Sequence, residues 1–97
     1  MYTINNEIND QTYNQLQVLK VQKTDRLEVL SISLEKDAVF PEHISPSDVQ
    51  LIILTGNMVF HIKGETFQLK QGQHFSFAKD EKHWVKAIEN SKFLIIR

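Results

Sequence analysis

Apolar and polar residues alternate along most of this chain with the period of a β-strand. In "RLEVLSISLE", Leu30, Ile32 and Leu34 fall on one side and Ser31 and Ser33 on the other, the pattern of a half-buried strand. "LQVLKVQK", just before it across Thr24 and Asp25, is a second such run. Further on, Met58, Phe60 and Ile62 share a face, as do Phe67 with Leu69 and Phe75 with Phe77. Gly56, Gly64 and Gly72 recur every eight residues between hydrophobic segments, where turns can use positive φ. "QLIILT", "NMVFHIK", "ETFQLK", "QHFSFA", "HWVKAIE" and "KFLIIR" complete a set of about eight predicted strands. No stretch repeats apolar residues at i, i+3, i+4 and i+7, so helices are expected to be minor. The pattern is that of an all-β sandwich or barrel.

Two segments depart from it. Residues 1–15, "MYTINNEINDQTYNQ", are polar and have few apolar anchors, and are expected to form an arm ahead of a single domain over residues 16–97. "EKDAVFPEHISPSD" carries Pro41 and Pro46, neither of which can donate to a sheet ladder, and is expected to be a long loop. "FLIIR", at residues 93–97, is apolar on both sides, as a central strand would be.

Composition narrows the function more than the fold. The 97 residues suit one domain, with eleven basic and twelve acidic side chains in no long block of one sign. That balance gives no electrostatic reason to expect nucleic acid or an anionic membrane as partner. There is no cysteine, which excludes disulfides and thiolate metal sites. No basic segment followed by an apolar one marks a signal peptide, and no apolar run approaches the ~20 residues of a membrane helix. A cytoplasmic location is the simplest expectation. Nothing supports a nucleophilic triad or a glycine-rich phosphate loop.

Four histidines remain as candidate chemistry: His43, His61, His74 and His83. His83 shares a strand face with the small apolar Val85 and Ala87, which suggests a cavity interior, whereas Trp84 is on the outer face and could pack on another sheet or subunit. His61 points away from the face of Phe60 and Ile62, and His74 away from Phe75 and Phe77. Both are expected at the surface.

Taken together, Leu34 to Arg97 resembles the cupins, small double-stranded β-helix or jelly-roll barrels. The family's first motif is G(X)5HXH(X)3-4E(X)6G. With Gly56 as its closing glycine, His43 falls on the first histidine, Ser45 on the second and Val49 on the glutamate. The second motif is G(X)5PXG(X)2H(X)3N. Starting from Gly72, Ala78 and Asp80 replace the proline and glycine, His83 matches the histidine and Ala87 replaces the asparagine. In cupins that bind metal, three histidines and a carboxylate hold the ion. Two of those four positions match here, an incomplete shell for a divalent ion.

The resemblance therefore implies a cupin-like barrel whose pocket brings His43 and His83 together with Ser45 over an apolar floor of Val49, Val85 and Ala87. The expected function is binding or sensing a small molecule there, without a cofactor, in a protein that forms a homodimer. The rival is an enzyme. It would either hold Fe, Mn, Ni or Zn on His43, His83 and a third ligand such as Gln50, His61 or His74, or use the two imidazoles as acid and base. A third class is a partner-binding module assembled through the arm and the Trp84 face.

Overall fold

The computed structural model describes residues 1–97. It has one four-residue helix, α1 (Glu7–Asp10), and nine strands: β1 (Leu16–Lys23), β2 (Glu28–Leu34), β3 (Val39–His43), β4 (Val49–Thr55), β5 (Asn57–Ile62), β6 (Glu65–Lys70), β7 (His74–Phe77), β8 (His83–Ala87) and β9 (Ser91–Ile96). They form a five-stranded sheet ordered β1-β2-β9-β4-β7 and a four-stranded sheet ordered β3-β8-β5-β6. All pairings are antiparallel. This is the all-β sandwich that the alternating pattern predicts, in the jelly-roll arrangement that the resemblance implies. No helix is long and apolar enough to cross a membrane.

The inward faces of the two sheets make one core. Ile32, Leu34, Leu51, Ile53, Phe93 and Ile95 from the first sheet meet Met58, Phe60, Ile62, Leu69, Val85 and Ala87 from the second. β9 is central, paired with β2 on one side and β4 on the other, as its two apolar faces predict.

Two local expectations need correction. Ser31 and Ser33 are as completely buried as the neighbouring Ile32 and Leu34, so β2 is not half-buried. The N-terminal arm covers its outer side. The Gln11 side chain donates to the Ser31 carbonyl at 3.0 Å while Ser31 Oγ donates to Gln11 Oε1 at 2.7 Å, and Ser33 Oγ donates to the Thr12 carbonyl at 2.7 Å. Buried Lys92 secures the same arm by donating to the carbonyls of Ile8, at 2.7 Å, and Gln11, at 3.0 Å. A polar strand face became interior because a polar segment satisfies it.

The second correction concerns the expected loop around Pro41, which contains β3. Proline is tolerated because β3 is an edge strand and because its ladder with β8 is irregular between Phe40 and His43. This irregularity positions the candidate site.

Candidate functional site

Phe40 pairs with Val85, whose side chain is in the core, and His43 pairs with His83. Three residues of β3 thus span two of β8. In an uninterrupted ladder Pro41 would oppose Trp84 and Glu42 would oppose His83. The extra residue is a bulge, which inverts the side-chain alternation and turns His43 inward in place of Glu42. Pro41, with no N–H to place in the ladder, occupies the bulge at no cost in lost bonds.

The two histidines, forty positions apart in the chain, meet directly: their Nε2 atoms are 3.0 Å apart. Each ring is held from behind. His43 Nδ1 lies 2.7 Å from the Pro41 carbonyl, and His83 Nδ1 lies 2.8 Å from the Glu81 carbonyl. A carbonyl only accepts, so both Nδ1 atoms carry hydrogen. The ring of His43 stacks on Phe40 at 4.4 Å between centroids, and Phe60 and Phe77 flank His83 at 5.5 and 4.5 Å. His83 is buried. That burial pushes its pKa below the ordinary imidazole value, and the nearby charges of His43 and Arg97 act the same way against the opposing bond to Glu81.

The space between the rings and the core is small. Phe40, Leu51, Phe60, Phe77, Val85, Phe93 and Ile95 wall it together with the two imidazoles, and its volume is about 10 Å³, room for a single water. Larger hollows, of about 510 and 490 Å³, are open grooves beside the N-terminal arm, lined mainly by polar side chains and remote from the histidines.

Of the residues expected at the pocket, His43, His83 and Val85 line this space. Val49 and Ala87 are buried elsewhere in the core, opposite Phe77 and Met58. Ser45 is buried with its hydroxyl accepting from Arg97 Nη1 and the Ser47 N–H, each at 3.4 Å. Arg97 also donates through Nε to Glu28 at 2.7 Å, a bond that holds the Glu28 carboxyl below its usual range. His61 stacks on Trp84 on the outer face, centroids 3.5 Å apart, and exposed His74 bonds to Gln50. Sequence reasoning missed Phe40 and Arg97. A proline inside an alternating segment was the available signal for the bulged edge strand that carries Phe40. Arg97 gave none, because its neighbours come from β2 and the segment after β3.

These side chains offer two imidazole donors, an incomplete shell for a divalent ion. Bonds from Nδ1 to carbonyls do support metal-binding histidines elsewhere. Here, however, no three His, Asp or Glu side chains come together. The two further positions that the motif would use hold an aliphatic side chain, Val49, and a hydroxyl already engaged by a guanidinium, Ser45. A cation at that position opposes a second one.

Comparisons agree with the fold. Among solved structures, an RmlC-like cupin protein from Desulfovibrio desulfuricans is similar at a TM-score of 0.86 and 15% identity, covering 99% of this chain and 95% of that one. A conserved protein of unknown function from Streptococcus pyogenes has a TM-score of 0.82 and 23% identity, covering 99% and 86%. KdgF from a Halomonas species has a TM-score of 0.78 and 19% identity, covering 91% and 86%. At such identities the likeness concerns fold alone. None of the curated proteins matches the sequence. The sequence model of the family described as the cupin domain matches residues 30–96, from the start of the core in β2 to the end of β9 and across both histidines, and the chain belongs to that family.

Proposed function

We propose that this cupin domain is a metal-independent binding module for a small organic molecule, held at the end of the sheet sandwich where β3 meets β8. The observation that carries this reading is the approach of two Nε2 atoms to 3.0 Å against an aromatic wall. Two fixed polar atoms among apolar side chains are what a small-ligand site needs. A space of about 10 Å³ is too small for an organic molecule, so this reading has the wall move on binding. The segment suited to do so is Phe40–His43, because edge strand β3 is bonded only to β8 and its ladder is interrupted at Pro41. A thermal-shift screen of small organic molecules tests this. A ligand raises the melting temperature of the unaltered chain by mass action and leaves His83→Phe unmoved. A screen in which no compound distinguishes the two proteins refutes it.

A second reading, a homodimeric or partner-binding module, is favoured by the small interior together with the outer side of the five-stranded sheet. There, beyond the strip of β2 that the N-terminal arm covers at Ser31, the register pairs Leu94 with Ile52 and Ile96 with Val29, and Ile52 is exposed. Sedimentation of the wild type against Ile52→Glu tests it: a dimer split by the substitution supports this reading, and a monomer in both counts against it.

A further inference from the structure

Lys92 is the only lysine or arginine that the fold buries, at 7% exposed, and no carboxylate of the chain pairs with it. β9 sets it opposite Thr55 of β4, and its ammonium donates to the Ile8 and Gln11 carbonyls at 2.7 and 3.0 Å. The centroid of the Tyr13 ring lies 5.3 Å from Nζ. An ammonium has three N–H groups, and the chain supplies acceptors for two of them. Carbonyls and a ring bring partial charges only. A buried charge ordinarily meets an opposite one, and the chain provides none for Lys92.

Lys92 borders a groove of about 490 Å³ between the N-terminal arm and the end of β4. Of the nine residues that line it, Lys92 alone is charged. Asn6, Asn9 and Tyr13 come from the arm, and Leu54 and Thr55 from β4. The side-chain hydrogen bonds of the arm run through Asn5, Gln11 and Thr12, which leaves the Asn6 and Asn9 amides and the Tyr13 hydroxyl free to bind. α1 also sorts the charges. Its two acids, Glu7 and Asp10, line the groove on the other side, towards Gln17 and Leu19.

We propose that the Lys92 groove is a second ligand site, independent of the histidine pair, which takes a small hydroxycarboxylate. The carboxylate accepts the third N–H of Lys92 and supplies the opposite charge, and hydroxyl groups of the ligand bond to Asn6, Asn9 and Thr55. One buried positive charge matches one negative charge, which favours a carboxylate over a doubly charged phosphate. Side-chain amides and a hydroxyl both donate and accept, as hydroxyl groups do. Tyr13 and Leu54 give the carbon skeleton an apolar contact, and a volume of this size suits a small molecule.

Proton–nitrogen NMR spectra of the full chain, titrated with lactate, gluconate, lactamide and inorganic phosphate, test the proposal. Saturable shifts are expected in the backbone signals of Asn6, Asn9, Thr55 and Lys92 with both acids, and none with lactamide. The signals of His43 and His83 should stay in place. Thr55→Val and Asn9→Ala leave the bonds from Lys92 to Ile8 and Gln11 intact, and each should weaken gluconate about 3–10-fold, the worth of one hydrogen bond. Lys92→Met should abolish binding, but it also loosens the arm, so the other two variants carry the test of place. Lactamide that binds as well as lactate, or phosphate that binds as tightly as gluconate, overturns the carboxylate assignment. Shifts gathered at His43 and His83 instead, unchanged affinity in both variants, or no saturable shift with either acid at millimolar concentration overturns the site and leaves Lys92 as an anchor of the arm alone.

Discussion

Replacing Gly56 with alanine tests how the two sheets are joined. Gly56 is the single residue between β4 and β5, where the chain leaves the five-stranded sheet for the four-stranded one, and its φ is +97°. A side chain in that region costs about 1–2 kcal/mol by conformation alone. A Cβ there would also stand 2.5 Å from the Asn90 carbonyl oxygen and 2.6 Å from Ser91 Cα, with Ser91 Oγ closer still. These are backbone atoms and cannot rotate away. Ser91 is anchored in turn, its hydroxyl accepting from the Asn57 N–H at 3.0 Å and bonding to the Glu89 carbonyl at 2.8 Å. Relief therefore moves the start of β9 or breaks these bonds, adding roughly 1–3 kcal/mol of overpacking. The expected loss is about 2–5 kcal/mol. Gly64 is the control. Its φ is +74°, but a Cβ there meets nothing within 4 Å, so Gly64→Ala should lose only the conformational ~1–2 kcal/mol. Urea unfolding followed by the fluorescence of Trp84, the only tryptophan, separates the two. At a slope on the order of 1–2 kcal/mol per molar, the Gly56 variant should unfold roughly 2 M earlier than wild type and the Gly64 variant about 1 M earlier. Equal losses at both glycines would refute the close-packing argument.

Other perturbations address the site and its supports. Because the folded pKa of His83 is below its unfolded value of about 6.5, the unfolded chain takes up the proton first, so stability is complete above that pH and declines as pH drops below it. Melting temperatures should fall more between pH 7 and 5 for wild type than for His83→Phe, and parallel curves would contradict the burial argument. Lys92→Met keeps the buried stem but leaves the Ile8 and Gln11 carbonyls without their donor. The expected cost is about 1–2 kcal/mol, with faster proteolysis confined to residues 1–15, and an arm as protected as before would count against its attachment by Lys92. Removing residues 93–97 takes Phe93 and Ile95 from the core and the ladder from both neighbours of β9. Circular dichroism should show an unfolded chain, and a retained cooperative transition would be inconsistent with a central β9.

Periodicity of two, set by the pleat and independent of what lies above it, made eight of the nine strands legible, from Leu16 in β1 to the doubly apolar β9. The spacing of Gly56, Gly64 and Gly72 and the register of His43 and His83 carried the family. The burial of Ser31 and Ser33 was hidden, because alternation reports one strand's own faces and not the distant segment, here Gln11 and Thr12, that covers one of them. β3 was hidden because a proline bulge inverts the alternation by which a strand is read. Local pattern thus determined which residues are strands and which face is apolar. Only the tertiary structure decided that a bulge at Pro41 is what turns His43 inward, that the rings touch at 3.0 Å with room for about one water, and that Arg97 engages Ser45. Each of these depends on the relative placement of elements remote in sequence, and a one-residue shift in a single ladder is enough to change it.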